Sequence, residues 1–469
     1  MKRFAFVISI LIAWSSVAAP VDTAVVRKVA LHFYQNYFSG TKMSIGDVTV
    51  SYTASTLDGQ PLLCVCDLGS GFVVVGADDR VRPILGYSFE GRFQKEDTPQ
   101  SLLFLLDEYA REIESVTNSE STASAMVLEQ WNELVEYSAS NRKAGTPVVG
   151  PLVTSIWNQG QYYNSQCPED SRGPAGHALV GCGAIVMGQV IRYWSYPTHG
   201  IGTESYYCNN SAYGYGDYGL LSVDFQNTTY EFSRMPNALS GSTPAFQISP
   251  VAKLLYHCGV AAHMAYGPSA STANSNNIIS GMIDHFGYQP TIQYIERNSC
   301  STSQWVGKIK SELDAGAPIF YGGSGSYGGH VFICDGYTDD DFFHINWGFG
   351  GSYDGYFQLS ALSPGPYDFS YNQAIITDIR PDQPPVGLQN VTGTKLSVYP
   401  NPTTGTVTMT GCPAGCRELR LYDCQGKQVR TFVSVDGQDR PIDLTGLPQG
   451  VYTLRLVGDD AAAVSIVKL

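Results

Sequence analysis

The sequence predicts an α+β protein in which two units of mixed helices and strands are followed by a small β-sandwich. Its 469 residues correspond to about three folded units at roughly 150 residues each. Helical and strand patterns occur together in the first two units, whereas from Lys395 onward short alternating strands recur at intervals of about ten residues. Apolar residues make up 43% and charged residues 15% of the chain, which supplies sizeable cores and argues against disorder.

The N-terminus has the pattern of an export signal over residues 1–18. Lys2 and Arg3 precede the apolar stretch 4–17, and small residues then favour cleavage after Ala18. This stretch is too short to span a bilayer, and no later segment approaches about 18 consecutive apolar residues. We therefore expect an exported protein without a transmembrane segment.

The first folded unit is predicted over residues 19–143. Residues 62–67 and 71–75 form two predicted strands, since both are apolar and a turn separates them. Residues 101–115 and 125–137 carry apolar side chains at helical spacing. The polar segment that follows, up to Lys143, has the composition of an exposed, protease-sensitive connection.

Cys182 is the candidate nucleophile of the second unit, residues 144–382. It opens a predicted helix, where unpaired amides and the positive end of the helix dipole stabilise a thiolate. Gly181 and Gly183 flank it and allow a substrate backbone to approach closely. The alternative is a disulfide or buried thiol; the chain has eleven cysteines, so at least one is not paired within it.

His330 is the candidate general base. It lies within the roughly 130–150 residues downstream of the nucleophile at which one class of cysteine hydrolases places its histidine. It follows Gly328-Gly329 and opens the apolar strand predicted at 331–335. A histidine at the open end of a strand is exposed yet held rigidly. A surface-loop histidine is the competing interpretation.

Asn346 is the candidate third member of the site. The acidic turn 339–341 reverses the chain into a second strand, and such a hairpin brings Asn346 near His330. There its amide oxygen can accept from the imidazole and fix the tautomer, while Trp347 shields the bond from water. His344 shares a strand face with Asn346 and is therefore a rival base.

Other classes of site find no support in the sequence. The net charge of −14 disfavours binding to nucleic acid, which requires clustered Lys and Arg. His257, Cys258 and His263 match no zinc spacing, and no glycine-rich run has the context of a phosphate loop. We predict no metal and no cofactor.

Motifs in the same order extend over about 200 residues of the second unit. They are Asn158-Gln159, Gly181-Cys182 with Gln189, Tyr193-x-x-Tyr196-Pro197, Met264-x-Tyr266-Gly267-Pro268-Ser269, Gly328-Gly329-His330 and His344-Ile-Asn346-Trp347-Gly348-Phe349-Gly350-Gly351. On these motifs the unit resembles the streptopain family, papain-like cysteine peptidases exported by bacteria. The resemblance implies a papain-like fold with catalytic Cys182 and His330. It also implies substrate contacts at Gly329 and Thr272.

The chain departs from the family pattern at several positions. Residues 183–186 replace a frequent Val-Ala-Thr-Ala, and Phe349 replaces a second Trp. Gly176 stands where papain has the Gln that donates to the oxyanion. The Cys182 amide supplies one donor. The resemblance makes Gln159 the candidate second donor, against the alternative that it only caps backbone in a loop.

The flanking regions resemble known accessory domains. Residues 71–80 followed by 83–87 resemble the family's inhibitory prodomain, which implies a prodomain at 19–143 and a cut between Asn141 and Thr146. After a linker at 383–394, residues 395–469 resemble a type IX secretion C-terminal sorting domain. That resemblance rests on three short segments: 396–402, 447–452 and 467–469.

The function that follows is a secreted or surface-attached cysteine endopeptidase made as a zymogen. Its expected partners are protein substrates, its own prodomain as intramolecular inhibitor, and the type IX secretion machinery. One alternative is an adhesin or haemagglutinin on the same fold; intact Cys182, His330 and Asn346 argue against it, because binding alone requires none of them. Another is a peptidoglycan amidase, against which the inhibitory prodomain argues.

Overall fold

The structure is a computed structural model. It describes residues 21–37, 43–119, 122–136, 146–325, 328–359, 373–382, 397–399, 401, 403–410, 418–422, 428–433, 440–457 and 463–468. The predicted signal peptide, residues 141–145 of the predicted cleavage segment, and the predicted linker from residue 383 to 394 lie outside the described residues. The chain divides into two compact units, Met1–Gln383 and Pro384–Leu469.

The first part of the larger unit contributes four antiparallel strands, which lie between helices. Its elements are α1 (Thr23–Tyr37), β1 (Thr49–Ser55), β2 (Pro61–Asp67), β3 (Phe72–Gly76), β4 (Ile84–Ser88), α2 (Gln100–Thr117) and α3 (Ala125–Val135). The two strands and two helices predicted here are confirmed. Successive side chains of β3 point to opposite faces of the sheet. Every residue of the strand is buried, because both faces are covered. Val73 and Val75 lie in the core with α1, and Phe72 and Val74 lie in the core with α2.

The rest of this unit alternates helices and strands. Its elements are β5 (Pro147–Val149), α4 (Cys182–Trp194), β6 (Thr203–Asn209), β7 (Asp217–Asp224), α5 (Ala245–Ala261), α6 (Ser275–Asp284), β8 (Gln293–Glu296), α7 (Thr302–Asp314), β9 (Ile319–Gly325), β10 (Gly328–Thr338), β11 (Phe342–Asn346), β12 (Gly355–Gln358) and β13 (Gln373–Thr377). Short 3-10 helices lie at Ile45–Asp47, Lys95–Asp97, Pro174–Gly176, Ser211–Tyr213, Phe232–Arg234 and Arg297–Ser299. The predicted helix after Cys182 and the predicted β10–β11 hairpin are confirmed, as is the α+β class.

One 11-stranded sheet runs through the whole unit, in the order β1-β2-β3-β4-β12-β11-β10-β9-β13-β8, with β5 beside β10. At the junction β4 pairs with β12, and Tyr87 lies opposite Tyr356 while Gly86 lies opposite Phe357. A Cβ atom on Gly86 would collide with the ring of Phe357. Any side chain at residue 86 would therefore strain the junction at which the two parts share the sheet.

The helix that begins at Cys182 is buried in a separate core. This helix, α4, packs against α5, α6 and strand β10, and its residues from Gly183 to Ile191 are all buried. The core includes Trp157, Met187, Leu255 and Ile333. The close packing fixes α4, and with it Cys182, relative to β10.

The smaller unit contains two antiparallel sheets. One joins β14 (Ser397–Tyr399), β15 (Thr406–Thr410) and β18 (Arg440–Asp443); the other joins β17 (Gln428–Val433), β16 (Glu418–Tyr422), β19 (Gly450–Val457) and β20 (Ala463–Lys468). Alternate residues of β16 are buried, and Val407, Leu419, Leu421 and Ile442 share one core. Five of these seven strands, β14, β15, β16, β19 and β20, were predicted for the small β-sandwich, whereas β17 and β18 were not.

No helix in the described part of the chain is long and apolar enough to cross a membrane.

Candidate active site

Cys182 is the first residue of α4, and the chain enters the helix through a glycine. Gly181 has φ 89° and ψ 141°, a positive-φ conformation that side chains disfavour. A Cβ atom there would lie 2.7 Å from Met264 Sδ and 3.0 Å from the Ser271 carbonyl oxygen. Both constraints require glycine, and they leave the Cys182 side chain half-buried at the helix N-terminus.

Cys182 and His330 line the same cavity, which has a volume of about 360 Å³. Thr272 and Gly329, the two predicted substrate contacts, line it as well. The remaining lining residues are Gly183, Ala273, Ser275, Ile278, Tyr294, Phe320, Gly322, Gly323, Val331, Ala374 and Ile376. Four of the sequence-predicted residues, from three separate segments of the chain, thus face one space.

The strand beside His330 is glycine-rich for a steric reason. His330 pairs with Gly323 of β9, and Val331 pairs with Gly322. A Cβ atom on Gly322 would lie 2.6 Å from the His330 carbonyl oxygen. The glycines therefore allow close pairing of β9 with β10 and leave room in the cavity next to the histidine.

Two opposing effects act on the Cys182 thiol. Burial raises its pKa, whereas hydrogen bonds from the backbone N–H groups of Val331 and Gly183 oppose that increase. The expected contribution of the helix N-terminus is present, because Gly183 belongs to the first turn of α4. Burial is the larger of the two effects, so the pKa of the Cys182 thiol lies above its ordinary value.

Asn346 ends β11 and lies opposite Ile333, in the same strand as His330. It is 2% exposed. Its Nδ2 donates to the Ser155 carbonyl oxygen at 2.9 Å, and its Oδ1 accepts from Gln189 Nε2 at 3.2 Å and from the Gly348 amide at 3.0 Å. The side chain is therefore held in one orientation from three sides.

Trp347 is buried beneath the sheet. Its Nε1 donates to the Tyr353 carbonyl oxygen at 2.9 Å. Its ring centroid lies 4.7 Å from that of Phe332 and 5.1 Å from that of Phe357. These contacts fix the turn after Asn346.

His344, the rival base, is bonded to a buried carboxylate. Its Nδ1 donates to Asp335 Oδ1 at 2.6 Å, and Asp335 is 0% exposed. His344 does not line the cavity that Cys182 and His330 share. Although burial alone would lower it, the pKa of His344 is raised because Asp335 favours the charged imidazole. The structure gives His344 a core environment.

Gln159 lies beside the segment that leads into α4. Its carbonyl oxygen accepts from the amide of Val180, just ahead of Cys182, at 3.0 Å. Its own amide donates to Asn158 Oδ1 at 2.6 Å. The pairing keeps this half-buried glutamine close to the helix N-terminus.

Gln189 links the helix to the hairpin, a role that the sequence reasoning missed. It is 0% exposed, its Oε1 accepts from the Trp157 amide at 3.0 Å, and its Nε2 donates to Asn346. A single amide within the otherwise apolar run 184–191 was the available signal, since buried polar side chains are almost always hydrogen-bonded.

The eight cysteines in the described part of the chain are all free thiols, and six of them are buried. Cys182 and Cys300 are the two that are partly exposed. No cluster of three or more His, Cys, Asp or Glu side chains suited to a metal ion occurs among the described residues. Cys412, Cys416 and Cys424 lie outside those residues.

Comparison with protein families gives three matches along the chain. Residues 157–357 match the Peptidase C10 family. Residues 18–113 match the Spi protease inhibitor, and residues 397–468 match the secretion system C-terminal sorting domain.

Individual proteins give the same result. Streptopain of Streptococcus pyogenes is 28% identical over 328 residues, which cover 66% of this chain and 78% of streptopain. The thiol protease/hemagglutinin PrtT of Porphyromonas gingivalis is 26% identical over 395 residues, which cover 81% of this chain and 44% of PrtT. A solved fragment of Prevotella intermedia prointerpain A superimposes with a TM-score of 0.57 at 27% identity, and covers 72% of this chain and 100% of the fragment.

Proposed function

This chain belongs to the Peptidase C10 family, and we propose that Cys182 is its nucleophile and His330 its general base. The protein is a secreted cysteine endopeptidase made as a zymogen, with an inhibitor prodomain before the catalytic domain and a type IX sorting domain after it. The observation that carries the residue assignment is the single cavity that Cys182 and His330 both line.

In the first step His330 takes the thiol proton while Cys182 Sγ attacks the carbonyl carbon of the scissile peptide. The transfer is needed because burial raises the pKa of the thiol and so favours its protonated form. Negative charge then develops on the carbonyl oxygen. The Cys182 amide at the start of α4 and the Gln159 side chain are its proposed donors; the pairing of Gln159 with Val180 supports the second assignment.

In the second step His330 returns the proton to the leaving amine, and the C–N bond breaks to give a thioester on Cys182. Water then attacks the thioester with His330 again acting as base, which releases the carboxylic acid and restores the thiol. Asn346 is proposed to hold the imidazole in position through this cycle. Its place on the strand beside β10 and its three hydrogen bonds support that role.

The apolar end of the cavity is the proposed site for a substrate side chain. Ile278, Phe320 and Ile376 line it together with Tyr294. An aliphatic or aromatic side chain close to the scissile bond would bury its surface there. Gly329 and Thr272, which also line the cavity, are the proposed contacts to substrate, which we take to be extended protein segments.

Adhesion is the second candidate function, since PrtT is named as both a thiol protease and a hemagglutinin. The β6–β7 hairpin carries side chains that suit binding: Tyr207 is 65%, Leu220 68% and Tyr213 77% exposed, and Tyr207 lies opposite Leu220. Removing Cys182 would leave such binding intact. Measuring both hydrolysis and cell agglutination with one Cys182→Ala preparation therefore separates the two functions: hydrolysis should be lost and agglutination retained.

The experiment that tests the assignment compares Cys182→Ala with Cys300→Ala in the full chain. Cys300 is the matched control because it is the other partly exposed thiol among the described residues. We expect Cys182→Ala to lower hydrolysis of a denatured protein by about 10⁴-fold or more and to leave the precursor uncut. Cys300→Ala is expected to retain both activities. Retained hydrolysis in Cys182→Ala contradicts the assignment.

A further inference from the structure

Thr146, the first described residue after the predicted cleavage segment, is held at the acidic turn between β10 and β11. Its backbone N–H donates to Asp339 Oδ1 at 2.8 Å, and its carbonyl oxygen accepts from the Asp339 amide at 3.0 Å. The next residues form β5, in which Pro147 lies opposite Thr338 and Val149 opposite Tyr337. The nitrogen of Thr146 is therefore already placed on a carboxylate in the uncut chain.

The same turn carries three consecutive carboxylates, Asp339, Asp340 and Asp341. Lys310 of α7 forms an ion pair with Asp341. The inhibitor prodomain contributes a second cation, Arg82. Burial lowers the pKa of the Arg82 guanidinium, and the neighbouring charges of Asp341 and Asp340 oppose that shift. Removal of the prodomain thus takes one positive charge away from the turn.

We propose that hydrolysis of the Gly145–Thr146 bond converts Thr146 into an N-terminal ammonium that pairs with Asp339 of the acidic turn. Water adds across the peptide bond: its oxygen becomes part of the Gly145 carboxylate, and its two protons end on the Thr146 nitrogen, which becomes an ammonium. An α-amino group of ordinary pKa, about 7.7–8.0, is mostly charged at neutral pH. This inference rests on the proposed function, because it requires a precursor that is cut.

The pairing stabilises the strand that carries the catalytic histidine. β10 runs from His330 at the cavity to Thr338 beside the acidic turn, and β5 covers its far end. An ion pair at Thr146 would hold β5 on β10 after the preceding chain is lost. The precursor needs no such pair, since the uncut chain and Arg82 are both present.

The test uses the full-length Cys182→Ala precursor, cut in trans by a small amount of wild-type enzyme. Mass spectrometry of the large product is expected to give Thr146 as its first residue. A second precursor adds Asp339→Asn, which retains an oxygen that accepts from the amide but carries no charge. Asp284→Asn, at an exposed position in α6, is the matched control.

We expect Asp339→Asn to leave the urea midpoint of the uncut precursor unchanged and to lower that of the cut product. In the cut product, Asp339→Asn is expected to lower the ratio of folded to unfolded protein by up to about fivefold, the effect of losing an exposed ion pair. A product that begins elsewhere overturns the inference. An equal decrease of the urea midpoint in the cut and uncut forms of Asp339→Asn also overturns it, as does no decrease in either form. Self-cutting by the Cys182→Ala precursor would instead contradict the nucleophile assignment alone.

Discussion

Gln189 of α4 donates from Nε2 to Oδ1 of Asn346 in β11 at 3.2 Å, with both side chains buried. The bond joins the helix that begins at Cys182 to the strand next to the one that begins near His330. The two proposed catalytic residues come from elements distant in sequence, so a buried contact between those elements fixes their separation. The network continues through Gln189 Oε1 to the Trp157 amide and through Asn346 Nδ2 to Ser155.

Gln189→Leu is expected to destabilise the catalytic domain and to lower kcat. The change leaves the buried Trp157 amide without its acceptor, which costs about 1–3 kcal/mol. Asn346 Oδ1 loses one of its two donors and keeps the Gly348 amide. Urea unfolding in the Cys182→Ala background measures the loss. Gln189→Glu, which keeps the acceptor for Trp157, is expected to lose less. An unchanged kcat in Gln189→Leu would show that the link does not position the site.

His330→Ala and His344→Ala are expected to fail in opposite ways. His330→Ala removes the proposed base, so activity falls by about 10²–10⁴-fold while stability is retained. His344→Ala leaves the fully buried Asp335 carboxylate without its imidazole partner, and breaking such a buried pair costs about 3–5 kcal/mol. Its turnover per folded molecule is expected to survive. Activity and urea midpoint, measured on both variants, distinguish these roles, and the reverse pattern would make His344 the base.

Gly86→Ala is expected to weaken the binding of the prodomain to the catalytic domain. The added methyl group collides with the Phe357 ring at the β4–β12 junction, and such overpacking costs about 1–3 kcal/mol. The precursor should then be cut faster by a fixed amount of wild-type enzyme. Gly46→Ala is the control, since it is exposed and its added Cβ would have only Ser44 Oγ nearby, at 3.7 Å. Equal cutting rates in the two variants would contradict the prediction.

Asp354 makes the precursor less stable as the pH rises toward neutrality. Burial raises the pKa of Asp354 to about 7. The hydrogen bond from the Trp347 amide and the nearby His344 act in the opposite direction but are smaller effects. A carboxyl whose pKa is raised on folding stabilises the folded state at low pH, and that contribution is lost between about pH 4 and 7. His344, with its raised pKa, acts in the same direction as the pH rises through that pKa.

The measurement is the urea midpoint of the Cys182→Ala precursor between pH 5 and 8, with and without Asp354→Asn. Asparagine can still accept from the Trp347 amide, which donates to Asp354 Oδ1 at 2.9 Å. We expect the midpoint to fall with pH and the slope to be shallower in Asp354→Asn. Equal slopes would exclude Asp354 as the source.

The elements of the site were predictable because their signals are local. Glycines on both sides of Cys182 and an apolar helix after it, or a turn of three aspartates between two apolar strands, are visible within a few residues. The register that places Asn346 opposite Ile333 depends on a β-bulge and was not predictable. The effect of burial on the pKa of Cys182 was beyond local patterns for a similar reason, since burial depends on segments distant in sequence.

The pairing of β4 with β12 was also beyond local patterns, because it joins Gly86 to Phe357 across most of the unit. It means that maturation creates a free sheet edge. When the prodomain leaves, the backbone donors and acceptors of Tyr356 and Phe357 that faced β4 become unpaired, beside two aromatic side chains. Exposed edges of this kind favour strand addition between molecules. The cut enzyme is therefore active but has a tendency to self-associate. The short length of β12, 4 residues, limits that tendency.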